Sequence, residues 1–196
     1  MANLYAIHSV GASLATWLRN RYPSDLSGDL ACAFRLLSSA DLVTLDDNPS
    51  NATVGIYLHR VVPNQQVGNQ RLPGAAADRR PSLALDLHYL ITVLAGGALA
   101  EQTVAAWVMR ELHEHPLLDR SVLSADAGWR ADEVVHVLPG EMDADQLSRV
   151  WESFRRTYRL TLPYIARVVR LDPEPTFAGA PVVATRDGLG PLEAVR

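Results

Sequence analysis

The segment 83–93 constrains the fold most, because its residues alternate with the period of a β-strand. One face would carry only apolar side chains, those of Leu83, Leu85, Leu87, Tyr89, Ile91 and Val93. The other face would carry the mixed set Ala84, Asp86, His88 and Leu90. A strand with one apolar face needs neighbouring strands and a second layer to bury that face. The chain is therefore expected to contain a sheet with a core on at least one side.

Other segments predict three helices and four more strands. Apolar residues at spacings of three and four predict helices near 3–22, 99–115 and 143–154, with Asn3 and Asp143 as N-caps. The predicted strands are 31–37, 54–62, 134–138 and 160–171. The order αβββαβαβ predicts an α+β fold, in which a mixed β-sheet has helices packed mainly on one face.

Two details of the strands carry further expectations. Alternation through 54–62 places Arg60 on the apolar side of its strand. Pro163 has no N–H to donate, which predicts that 160–171 is an edge strand or that Pro163 lies at its entry. Both expectations depend on regular pairing along the whole strand.

The chain is expected to form one domain over residues 1–172, followed by an extended arm over 173–196. The chain has 196 residues, enough for one domain with a substantial core. The arm contains proline and glycine around the short Val182-Val183 run. Residues 63–81 are rich in Gln, Asn, Gly, Pro and Ala, which predicts a long surface loop.

Charge is unevenly distributed. All 18 basic residues are arginine against 22 acidic residues, and the net charge of −4 argues against nucleic acid as the main partner. Residues 149–170 contain a single acid and six arginines: Arg149, Arg155, Arg156, Arg159, Arg167 and Arg170. They form either a solvated surface or a surface that docks an acidic protein or a phosphate. The rigid guanidinium fork suits the carboxylates of a protein partner.

No catalytic, cofactor or metal motif is recognisable. Asp86 and His88 share a strand face, as a general base and its partner would, but the alternative is a polar face that meets solvent or a partner. His113 and His115 lie two apart on a predicted helix and point about 200° apart, so they cannot chelate one ion together. We expect no cofactor and no metal.

The single cysteine, Cys32, excludes an intramolecular disulfide and a thiolate zinc site within one chain, which favours a reducing compartment. The N-terminal segment lacks the features of a signal peptide, and charged residues interrupt every apolar stretch. We expect a cytoplasmic protein without membrane insertion.

Five segments in order resemble the cap, or tail-terminator, proteins of extracellular-type contractile injection systems. They are 5–10 (YAIHSV), 57–61 (YLHRV), 82–90 (SLALDLHYL), 111–116 (ELHEHP) and 158–162 (YRLTL). The similarity covers about residues 4–172, which makes 1–172 a tail-terminator-like cap domain. The resemblance implies a homohexameric ring that closes the distal end of a phage-tail-like particle. It also implies contacts with the inner tube and the contractile sheath, a sheet flanked by helices, and no catalytic residues.

The candidate interface is then the six arginines with Asp86 and His88. A further hypothesis is that the 160–171 edge or the arm adds a strand to a sheath subunit or a neighbouring subunit. Two other functions stay open, a small cytoplasmic enzyme that uses Asp86 and His88, and a monomeric adaptor that docks through the arginines.

Overall fold

The computed structural model of the protein describes residues 2–46, 49–64 and 82–173. Its helices are α1 (Ala6–Arg21), α2 (Ser24–Asp29), α3 (Ser39–Thr44), α4 (Ala98–Glu114) and α5 (Ala144–Ser153), with a one-turn 3-10 helix at Ala125–Ala127. Its strands are β1 (Cys32–Leu37), β2 (Ala52–Pro63), β3 (Leu83–Leu94), β4 (Leu117–Leu118), β5 (Val135–Pro139) and β6 (Thr161–Leu171). The predicted α+β class is confirmed, and each of the eight predicted elements is present.

The strands form one mixed sheet in the order β1-β2-β3-β6-β5-β4. β1 runs parallel to β2, and every other neighbouring pair is antiparallel. The long strands β2, β3 and β6 are adjacent, so β3 is paired along both sides.

The main core lies between one face of the sheet and the two long helices α1 and α4, and we call this face the helix face. The alternation in β3 is confirmed, because Leu87, Ile91 and Val93 are fully buried there. Val10 and Leu14 of α1 are equally buried in the same cluster. Burying one such side chain contributes about 1.5–3 kcal/mol. The apolar stripe that predicted β3 is thus the side of the strand that holds α1 and α4.

The short helix α5 covers part of the opposite face. Its predicted N-cap is confirmed, because Asp143 and Gln146 form a capping box. Trp151 of α5 packs with Leu37 and Leu42 in a second small core, and its Nε1 donates a hydrogen bond to Thr161 Oγ1 over 3.0 Å. The two long helices share one face and α5 lies on the other, as expected of helices packed mainly on one side.

Of the two positions predicted for Pro163, the edge strand is wrong and the entry is confirmed, because Pro163 is the third residue of β6. β6 lies inside the sheet, between β3 and β5. The Pro163 carbonyl accepts a hydrogen bond from Gly140 N over 2.9 Å, and Gly140 lies just beyond Pro139, the last residue of β5. The carbonyl and the nitrogen of one strand residue point to the same side. The missing N–H of Pro163 therefore faces the place where β5 has ended. In the described part of the chain, β1 and the two-residue β4 are the outer strands instead.

Two local expectations also need correction. Asn3 does not cap α1, because the helix begins at Ala6 and the residue at its N-cap is Tyr5. Asn3 Oδ1 accepts a hydrogen bond from Tyr5 N, and the Asn3 side-chain amide donates to the Asp126 carbonyl. The second face of β3 is not open along its whole length, since Leu90 and Leu94 are buried there. The 63–81 loop and the 173–196 arm lie, except for residues 63, 64 and 173, outside the described residues.

Candidate docking surface on the open face of the sheet

Beyond α5, the face opposite α1 and α4 carries a group of polar side chains, and we call this part the open face. Register brings them together: His88 of β3 lies opposite Arg60 of β2 and opposite Ile165 of β6. Leu87 and Tyr89, the residues on either side of His88 in β3, point into the core. The even-numbered positions of β3 therefore form the central row of this surface.

Arg60 reaches this surface because of an irregularity in β2. The pairing shifts between Leu58 and Arg60, so that His59 is an extra residue opposite β3. The shift turns Arg60 away from the apolar side on which simple alternation placed it. An arginine at an apolar position of a strand was the sequence signal for this bulge.

Asp86 is committed to a structural role. It is 7% exposed, and both of its carboxylate oxygens accept from Asn64 Nδ2, over 2.9 and 3.0 Å. Arg167 Nε lies 3.3 Å from Asp86 Oδ2 and completes an ion pair. In the part of the chain that the structure describes, Asp86 makes no hydrogen bond to His88. The arrangement anchors the end of β2 to β3 and engages both carboxylate oxygens.

A cavity of about 320 Å³ lies between the open face and α5, and we call it the basic groove. Its polar lining comes from His59, Arg60, His88, Glu141, Gln146 and Arg149. Met142, Val150, Pro163, Tyr164 and Ile165 complete its walls. Arg60 and Arg149 are exposed, and within residues 2–46, 49–64 and 82–173 neither guanidinium group has a hydrogen bond or an ion pair. The groove combines cationic rims with an apolar wall.

The two histidines of the groove are held in their neutral form. Burial, together with smaller effects of the neighbouring His88 and Arg60, lowers the pKa of His59 to about 4. The pKa of His88 is also lowered, by burial first and then by Arg60 and Arg167, against an opposing effect of Asp86. Their rings meet edge to face with centroids 6.0 Å apart. The groove thus disfavours a positive charge on either imidazole.

The six predicted arginines lie in different surroundings. Arg149 lines the basic groove, Arg167 pairs with Asp86, and Arg170 lines a separate cavity of about 170 Å³ beside Trp129. Arg155 is exposed just after α5.

The remaining two are partly buried. Arg156 donates to the carbonyl oxygens of Val43 (3.4 Å) and Leu45 (2.6 Å), so it ties the end of α5 to α3. Arg159 is partly buried as well. Of the six arginines, Arg149 therefore lines the basic groove with His88, and Arg167 acts on His88 from β6. The groove adds Arg60 and His59, which were not among the predicted interface residues.

A second cluster of titratable groups joins α1 to α4. Glu111, Glu114 and His115 offer ligand atoms within 4.8 Å of one another. The Arg21 guanidinium contacts the Glu111 carboxylate, and its Nη2 lies 3.2 Å from His115 Nε2. A guanidinium at this position would repel a metal cation, so we interpret the cluster as a structural ion pair.

Among the described helices, none is long and apolar enough to cross a bilayer.

Comparisons with known proteins show where this fold occurs. The profile of the Pvc16 N-terminal domain matches residues 9–185. A cryo-EM structure of the PVC sheath/tube terminator in the extended state, from an extracellular contractile injection system, is 19% identical, with a TM-score of 0.53 over 94% of this chain and 65% of that chain. The anti-feeding prophage cap, a tube-terminating cap, is 18% identical, with a TM-score of 0.58 over 90% of this chain and 60% of that chain. The chain thus spans less than two thirds of the length of these structures. Among curated proteins, none matches at a significant level.

Proposed function

The chain belongs to the Pvc16 N-terminal domain family, and on this premise we propose that it is a structural cap of a phage-tail-like contractile injection system. It would close the end of the inner tube and of the contractile sheath. The observation that carries the proposal is the family match over residues 9–185, joined to a fold like that of a sheath/tube terminator and of a tube-terminating cap.

A closed ring explains how such a subunit ends a growing tube. A stacked tube grows because each ring offers the next ring a copy of the same surface. A cap ring would satisfy its lateral contacts around the circle and bind the last tube ring through one axial face, while its other axial face differs from that of a tube ring and recruits no further layer. We propose six copies, which at 21.4 kDa each make a ring of about 128 kDa.

We assign docking on the tube and sheath to the open face. Arg149, Arg155, Arg167 and Arg170 are exposed; Arg149 lines the basic groove, and Arg167 contacts Asp86. Asp86 would support this surface from below, because it holds Arg167 in place while it is itself buried. His88 would contribute through the basic groove.

The work of the protein would be adhesion and not catalysis. The engagement of Asp86 by Asn64 and Arg167 supports this view, because a general base needs an accessible oxygen. We place the protein in the cytoplasm during assembly, since a chain with one cysteine has no intramolecular disulfide to form.

The strand-addition hypothesis now rests on the arm alone. β6 is not an edge strand, because β5 pairs with its residues 164–167 on the side away from β3. We propose that residues 173–196 reach a neighbouring subunit or the sheath. Deletion of 173–196 is expected to weaken ring or sheath assembly, and particles of normal appearance from this variant would contradict the role of the arm.

Electron microscopy of particles produced with and without the chain tests the proposed function. Particles that lack it should have open ends or tubes of uncontrolled length, and supplying the full chain should restore closed ends. Native mass spectrometry of the particle ends should detect the ring. Unchanged ends, together with a chain that never associates with tube or sheath, would refute the proposal.

A further inference from the structure

We propose that the basic groove binds an acidic segment of a neighbouring protein, with Arg60 and Arg149 as the groups that receive its carboxylates. That the neighbour is a subunit of the particle rests on the proposed function. The groove itself is argued from its charge, its shape and its histidines.

Charge is the first argument. Arg60 stands on β2 and Arg149 on α5, so two different elements each contribute an arginine to the lining of one cavity. Neither guanidinium group has a partner among the described residues. Glu141 is the one acid among the lining residues, and it is exposed at the rim. Asp86 beneath the groove is already neutralised by Arg167. Two exposed cations without partners attract an anion, and the guanidinium fork matches a carboxylate.

Shape is the second argument, and it favours a peptide over a nucleic acid. A volume of about 320 Å³ accommodates a few side chains, and its apolar wall of Met142, Val150 and Ile165 can contact the aliphatic stems of glutamates. Nucleic acid binding requires a broad basic surface that follows many phosphates. This chain has a net charge of −4, and Glu141 interrupts the positive rim.

His59 and His88 make binding dependent on pH. Three charged groups of the sheet face the two histidines: Arg60 on β2, Asp86 on β3 and Arg167 on β6. Two more come from the other side of the groove, Glu141 just before α5 and Arg149 on α5. In the free protein the pKa values of both histidines are lowered. A carboxylate that enters the groove favours the protonated imidazole and raises these pKa values. Binding therefore takes up protons, and affinity increases as the pH falls from 7.5 to 5.5.

The test uses the full chain and a fluorescein-labelled octapeptide of alternating Glu and Ser, followed by fluorescence anisotropy at 50 mM NaCl. The Gln–Ser octapeptide, inorganic phosphate and a dT8 oligonucleotide are the competing probes. The groove variant is Arg60→Gln with Arg149→Gln. The matched control is Arg110→Gln with Arg120→Gln, which removes the same charge from two exposed arginines outside the groove.

We expect the acidic peptide to bind the wild type, and the groove variant to bind it at least ten-fold more weakly, while the control stays within about two-fold. Affinity for the acidic peptide should rise at pH 5.5, and His59→Asn with His88→Asn should flatten this dependence. Circular dichroism verifies that each variant is folded.

Four results would overturn the inference: no binding of the acidic peptide at 1 mM, equal weakening by the groove and control variants, tighter binding of dT8 or phosphate, or binding that does not respond to pH. The capping assay separates this inference from the proposed function. A wild type that closes particles but ignores the peptide refutes the groove alone. A wild type that binds the peptide but never closes particles refutes the cap alone.

Discussion

Replacing Asp86 with alanine is the sharpest test of how the open face is built, because one buried carboxylate holds two strands together. In the folded protein Asn64 Nδ2 donates to both carboxylate oxygens, and Arg167 pairs with one of them. Asp86→Ala removes the acceptor from a buried amide, which costs about 1–3 kcal/mol. The Arg167 side chain is 46% exposed and stays hydrated, so losing the ion pair adds at most about 1 kcal/mol.

The expected destabilisation is therefore about 1–4 kcal/mol. With a urea dependence of about 2 kcal/mol per M, the unfolding midpoint falls by about 0.5–2 M. Tryptophan fluorescence follows the transition, since the chain has four tryptophans. Arg167→Ala should cost less than about 1 kcal/mol, because its partner keeps Asn64. The exposed Asp132→Ala is the matched control, expected within about 0.5 kcal/mol of the wild type.

A loss for Asp86→Ala no larger than that of Asp132→Ala would refute this reasoning, because the buried carboxylate would then contribute nothing to the fold. A loss for Arg167→Ala equal to that of Asp86→Ala would also contradict it. In that case the ion pair, and not the hydrogen bonds from Asn64, would carry the stability.

Two further predictions concern the groove and the helix beside it. The folded-state pKa of His59, about 4, lies below its unfolded value of about 6.5. The folded state therefore binds fewer protons than the unfolded state. The stability that is present above pH 6.5 is lost as the pH falls towards 4. His59→Asn should remove up to about 2 kcal/mol of the loss between pH 7.5 and pH 5, measured as urea midpoints, and identical pH profiles would contradict this. Trp151 is 3% exposed, so Trp151→Ala should lower the free energy of unfolding by about 3–5 kcal/mol. Trp151→Phe should lower it by about 1 kcal/mol, because the hydrogen bond to Thr161 is lost. Thermal unfolding separates the two variants, and equal costs would show that packing contributes little there.

Local patterns were enough to predict most elements of this fold. The alternation in β3 and the capping box at Asp143 depend on residues a few positions apart, and both are confirmed. The six-residue helices α2 and α3 were missed because they are too short for a helical period to repeat. The capping box of Ser38 with Asp41 was the available signal for α3.

Long-range pairing could not be predicted in the same way. Pro163 indicates only that one N–H is missing; it does not reveal which neighbour has already ended at that position. The candidate site shows the same limit. Arg149 and His88 were singled out separately, and only the packing of α5 on the sheet brings them to one groove with Arg60.

The amino-acid sequence by itself determined which segments become strands or helices, which face of β3 is apolar, and where arginine accumulates. These properties follow from the spacing of neighbouring side chains along a regular backbone. Tertiary structure alone decided that β6 lies inside the sheet, that a bulge turns Arg60 towards His88, and that Asp86 is buried. Such outcomes depend on contacts between residues far apart in the chain, whose free energies compete only once the whole sheet is assembled.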